Sequence, residues 1–299
     1  MSKLQANLLL LVAAAFWGFG NIAQKTVLDH LDPLSAVAMR CLIGGLLILP
    51  LVAGERCARK ARGHWISLLR VVLLFAVALM IQQTSYFFAT VTNASFLVNT
   101  ATVMTPLAAW LLIGEQPART VWYAAGATMV GALLLCGGLS GVSRGDAIAL
   151  LSAACYALWM VELGRHMQAH GRPFTAAAAQ FLGAAILALP LGAAYGNLSP
   201  GSVAEAGREL IVLGVFSTAL AFGFQTAAQR FTPASHAAVI VSAEGVFGGL
   251  GAALFLGERV SPIGALGAAI VLGAILFLIR SATSIQSCAT AISSPEGRP

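Results

Sequence analysis

The chain has 299 residues, of which 59% are hydrophobic and only 9% charged, with a mean hydropathy of +0.86. Soluble domains carry about 25% charged residues, so a water-soluble globular protein is excluded. The net charge of +6 does not point to a nucleic-acid partner, because the basic residues sort by side of a membrane, as set out below.

At about 20 residues per crossing, ten apolar segments fill the chain: 5–27, 33–52, 67–89, 93–113, 120–139, 146–167, 173–194, 209–229, 233–256 and 261–279. Lys3 and the apolar run after it resemble a secretion signal. The run has the length of a full span and a counterpart in mid-chain, so it reads as a mature helix. Pro33, Pro173, Pro233 and Pro262 fall in the first turn of a span, where proline is tolerated. Arg40 lies about 10 Å into the second span. Its long side chain is expected to snorkel to the nearer face and serve a structural role. A basic cluster from Arg56 to Arg62 forms a loop. Glu244 follows Pro233 by eleven residues, which puts it about 16 Å along the ninth span, near the middle of the bilayer. Residues 281–299 are polar and small, and are expected to form a disordered tail.

The same pattern occurs twice. Leu11, Ala13, Ala14 and Phe16 recur as Leu151, Ala153, Ala154 and Tyr156. Pro33 recurs as Pro173, and Thr92-x-Ala94-Ser95 as Thr232-x-Ala234-Ser235, all at a spacing of 140. Gly114-Glu115 and Gly257-Glu258 are spaced 143, nearly one helical turn more. Five spans per copy send the chain into the second copy from the opposite face. The expected fold is therefore an all-α membrane protein of ten transmembrane helices, arranged as two inverted five-helix repeats (1–139 and 146–279). Such repeats are a transporter signature. Twelve Lys and Arg fall on the side that holds both termini, four on the other, and Arg40 lies within the membrane. By the positive-inside rule both termini are cytoplasmic.

Gly141-Val142-Ser143-Arg144-Gly145 matches a nucleophile-elbow pattern, which raises an intramembrane serine hydrolase as a remote alternative. It falls in a short loop on the side opposite His236, so no enzyme is expected. Glu162, His166 and His170 share one helical face and could in principle bind zinc. The polar-turn reading, with Glu162 beside Arg165, is preferred, so no metal and no cofactor is assigned. The five cysteines have no ligand spacing.

A carboxylate at the depth of Glu244 costs roughly 2.5–3.5 kcal/mol unless paired, protonated or facing water, and such groups mark pathways. Gly245, Gly248, Gly249 and Gly251 would let another helix or a ligand approach closely. Trp17, Tyr156 and Trp159 sit in mid-span, away from the interfacial belts. With Asn21, Tyr86, Asn99 and Glu244 they form the expected substrate-binding set: a nearly neutral cavity with aromatic faces. With no second sequence-evident carboxylate, Glu244 is expected to bond or pack rather than relay protons.

Several motifs resemble the EamA-type family of the drug/metabolite transporter superfamily over residues 5–279. They are Trp17-Gly18, Met39-Arg40, Thr92-Asn93-Ala94, Thr232-Pro233-Ala234, Gly114-Glu115 and Gly257-Glu258. Glu244 matches a glutamate that the family often follows with proline, where this chain has Gly245. Pro106 lies nine residues before Glu115, closer than the family spacing, so the fourth helix is expected to kink differently. Within the superfamily the chain is most similar to bacterial aromatic-amino-acid exporters of the YddG type. The resemblance implies a monomeric inner-membrane exporter of amino acids, preferentially aromatic ones, working by alternating access. Another small metabolite, such as a nucleotide sugar or a cationic drug, is the alternative substrate. The lipid bilayer is the other expected partner.

Overall fold

The computed structural model describes residues 1–55, 63–136, 143–255 and 261–293. The Arg56–Arg62 cluster, Gly141 and the Gly257-Glu258 pair lie outside the described residues. The described chain is all helical: α1 (Lys3–Thr26), α2 (Pro33–Val52), α3 (His64–Phe88), α4 (Val91–Val98), α5 (Ala101–Ile113), α6 (Arg119–Leu135), α7 (Arg144–His170) and α8 (Pro173–Tyr195). Short helices α9 (Pro200–Glu205) and α10 (Gly207–Ile211) lead into a π-helical stretch (Val212–Phe222) that α11 (Gly223–Ala228) completes. Then follow α12 (Ala234–Val241), α13 (Glu244–Phe255) and α14 (Pro262–Ser293).

Among the described residues, eight helical segments are long and apolar enough to cross a membrane. The remaining two expected crossings are α6, at 17 residues, and the interrupted pair α12–α13. Leu46, Leu111 and Ile186 are 55%, 68% and 70% exposed. Apolar exposure on that scale is what a lipid-facing surface requires and water does not tolerate. Pro33, Pro173 and Pro262 each open a helix as expected, their missing N–H falling where no intrahelical partner exists. Asp32 caps α2 through the amides of Leu34 and Ser35. Helix α14 continues to Ser293, well into the stretch read from the sequence as a tail.

The three strongest helix contacts join the two halves, α2 with α8, α3 with α7 and α6 with α14, and a weaker one joins α1 with the π-helical stretch. Shifting the first half by one repeat exchanges α2 with α8 and α6 with α14, and turns the α3–α7 contact into the last of these pairs. That is the packing of two inverted repeats about a pseudo-twofold axis.

Small residues set the closest crossings. A Cβ on Gly18 would lie 2.6 Å from the Glu244 carbonyl oxygen and 2.7 Å from the Gly248 amide nitrogen. α1 and α13 therefore meet backbone to backbone. Gly251 takes the Phe19 ring, which a Cβ would meet at 2.9 Å. A Cβ on Gly245, Gly248 or Gly249 would meet only ordinary contacts, so of the four flanking glycines Gly251 alone has no room for a side chain, and the tight backbone crossing is set by Gly18.

Candidate functional site

Two spans break in mid-membrane. The fourth is interrupted at Asn99–Thr100, between α4 and α5, and the ninth at Ser242–Ala243, between α12 and α13. Interrupted helices free backbone groups and expose helix termini at the depth where transporters bind substrate. Pro106 lies inside α5, and its ring removes the bond that the Thr102 carbonyl would otherwise accept. The first break therefore lies just N-terminal to the segment that Pro106 weakens. Glu244 is the first residue of α13, where the helix dipole favours a carboxylate.

Between the breaks lies a cavity. Its walls come from both repeats. Trp17 and Gln24 of α1, Arg40 of α2, Gln82 of α3 and Asn99 with Thr102 at the first break face Tyr156, Met160, Phe222, Gln225 and Glu244. Phe222 is the centre of the aromatic wall. Its ring is 4.7 Å from Trp17, 4.9 Å from Phe75 and 5.7 Å from Trp159, and it stacks on Tyr156 at 6.4 Å. These separations fall in the favourable aromatic range.

The seven residues singled out from the sequence divide in two. Trp17, Asn99, Tyr156 and Glu244 line the cavity. Asn21, Tyr86 and Trp159 stand behind that wall. The Trp159 indole donates to Gln180 Oε1 at 3.1 Å and is 1% exposed. Tyr86 donates to Asn21 Oδ1 at 3.3 Å and bonds Ser95 at 2.9 Å. Asn21 in turn donates to Glu244 Oε1 at 3.0 Å. Tyr156 donates to Gln82 Oε1 at 2.8 Å.

Arg40 does not snorkel. It turns inward, is 1% exposed, and lines the cavity. Its Nε donates to Thr218 Oγ1 at 2.9 Å and its Nη1 to Gln24 Oε1 at 3.0 Å. Polar partners on neighbouring helices offer the guanidinium an alternative to the interface, and one sequence position cannot display partners 16 and 178 residues away. No ion pair joins Arg40 to Glu244 among the described residues. Gln24, Thr102, Met160 and Phe222 were also missed. Phe222 had a usable signal, since it stands 140 residues after Gln82, another wall residue.

The π-helical stretch holds both anchors. Ser217 accepts the Trp17 indole N–H through its carbonyl oxygen at 2.9 Å, and Thr218 accepts from Arg40. π-Helical turns are rare and concentrate at functional sites. Ser143 has no catalytic setting. It is the N-cap of α7, accepting from the Asp146 amide while Asp146 accepts from its own amide.

Comparison with known proteins agrees with this architecture. The EamA-like transporter family model matches residues 4–137 and again 143–280. An uncharacterized transporter of Archaeoglobus fulgidus is 26% identical over 278 residues, covering 93% of this chain and 87% of that protein. The uncharacterized transporter YwfM of Bacillus subtilis is 26% identical over 283 residues, covering 91% and 93%. One solved crystal structure is similar with a TM-score of 0.77 over 94% of this chain and 98% of its own, at 17% identity, which shows a shared fold alone. With both halves matched, the chain belongs to the EamA-like transporter family: it is a multi-pass membrane transporter and not an enzyme.

Proposed function

We propose that the protein exports amino acids, preferentially aromatic ones, across a bacterial inner membrane by alternating access, with both termini in the cytoplasm. The observation that carries this reading is one cavity bearing a guanidinium, a carboxylate and an aromatic wall. A zwitterion needs all three. Arg40 has two of its N–H groups engaged, which leaves donors for a substrate carboxylate. Glu244 would receive the ammonium group. Gln225 is 1% exposed, and its Oε1 has no protein partner among the described residues, so it can accept a second ammonium hydrogen. The substrate ring would lie against Trp17, Tyr156 and Phe222, where stacking contributes about 0.5–1.5 kcal/mol beyond burial.

A cationic drug could use Glu244 and the same rings through cation–π attraction, but would share the cavity with the buried charge of Arg40. Radiolabelled flux in proteoliposomes separates the two. The expected result is saturable flux of phenylalanine and tryptophan, faster than that of alanine. Transport of an organic cation without flux of either amino acid would replace this reading with the cationic one.

A further inference from the structure

Outside the transport cavity, three histidines from two helices converge at one end of the bundle. His166 and His170 are one turn apart on α7 and share a face. His64 begins α3 and comes from the other repeat. The ring centroids of His64 lie 5.3 Å from His166 and 5.0 Å from His170, and those two are 4.9 Å apart. One nitrogen from each ring falls within 4.8 Å of the other two. His64 and His166 are buried, and His170 is half-buried.

We infer that His64, His166 and His170 form a binding site for a divalent transition-metal ion of the zinc class, joining α3 of the first repeat to α7 of the second. Three imidazoles are a ligand set suited to zinc, copper, iron and nickel. Zinc–nitrogen bonds of about 2.0–2.1 Å require tetrahedral ligand atoms about 3.3–3.4 Å apart, so the separations between ring nitrogens, all within 4.8 Å, need close by no more than about 1.5 Å. His166 already has an outer contact, its Nδ1 lying 3.0 Å from Ser67 Oγ. With Nδ1–H donating to Ser67, Nε2 carries the lone pair toward the ion, as metal-ligating histidines commonly arrange. Glu162, the acidic neighbour on the same helix, is not the third ligand. It accepts from Arg165 at 2.8 Å, and His64 takes its place.

The test is a Co²⁺ titration of the full-length purified protein, freed of any polyhistidine tag. The expected result is one Co²⁺ per chain, with the ligand-field absorption of a four-coordinate imidazole site. Zn²⁺ should displace it and raise the melting temperature by linkage. His64→Asn and His170→Asn should each weaken binding by at least about tenfold, while His30→Asn, outside the cluster, leaves it unchanged. Melting temperatures in chelator confirm that each variant folds. Lack of the Co²⁺ absorption in wild type, or equal binding by wild type and both cluster variants, overturns the site. Flux adds a separate readout that rests on the alternating-access reading: Zn²⁺ should slow wild type and spare His170→Asn. Binding with Zn²⁺-insensitive flux would count against movement of the halves at this end, not against the metal.

Discussion

Arg40 and Glu244 are connected without touching. Arg40 donates to Gln24, the Gln24 amide donates to Asn21, and Asn21 donates to Glu244, over 3.0, 3.1 and 3.0 Å. Two opposite charges at membrane depth are thus held apart on one cavity by two neutral amides, both on α1. A direct ion pair would satisfy both charges internally and leave little for a ligand. The relay supports each charge while keeping its remaining valence free.

Asn21→Leu should break this relay. It removes the donor to Glu244 and the acceptor of both Gln24 and Tyr86, at about 1–3 kcal/mol for each buried group left unpaired. The KM for substrate should rise about tenfold or more, with a lowered melting temperature. An unchanged KM in a folded variant would show that the relay does not set the geometry of the charges.

Trp17 and Trp159 should behave differently, although their mid-span positions look alike in the sequence. Trp17→Ala opens the cavity wall and should reduce transport more than stability. Trp159→Ala removes one of the largest fully buried side chains, and should cost about 3–5 kcal/mol of stability. Thermal melts beside flux assays check the split. Equal loss of stability in both would make Trp17 a packing residue.

Gly18→Ala should disable the transporter, because the added methyl would meet the backbone of Glu244 and Gly248 and push α13 away from α1. Gly126→Ala meets nothing within 4 Å and should be neutral or stabilising, by up to about 1 kcal/mol. If Gly18→Ala transports like wild type, the crossing does not position Glu244.

Much of the fold was legible. The spacing of 140 exposed the repeat, and helix-opening prolines marked three boundaries that the structure reproduces. Glu244 was legible too, since a carboxylate at that depth is anomalous on any hydropathy scale. What escaped depends on contacts between distant segments. The inward turn of Arg40 depends on Thr218, the relegation of Trp159 behind the wall depends on Gln180, and the histidine cluster depends on His64 arriving from α3. The π-helical stretch was invisible because an apolar run has the same composition at any helical pitch. The break after α12 lacks a proline at the break itself, so nothing local announced it.

The orientation rests on charge asymmetry and has its own check. In a background without native cysteines, a cysteine at Gly201 should react with an impermeant thiol reagent in intact cells, and one at Gly63 should not. Gly201 is preferable to Asn197, whose side chain binds the Asp32 amide and the His30 carbonyl. The reverse labelling pattern would invert the topology.

Competition against radiolabelled phenylalanine flux tests most directly whether Arg40 and Glu244 together recognise a zwitterion. Phenethylamine lacks the carboxylate and 3-phenylpropionate lacks the ammonium group, while both keep the ring. Each charge-assisted hydrogen bond is worth about 1.5–3 kcal/mol, so each analogue should inhibit at least about tenfold more weakly than unlabelled phenylalanine. Glu244→Gln should abolish the advantage of phenylalanine over 3-phenylpropionate, and Arg40→Gln its advantage over phenethylamine. Phenethylamine inhibiting wild type as strongly as phenylalanine would contradict zwitterion recognition and make the site one for organic cations.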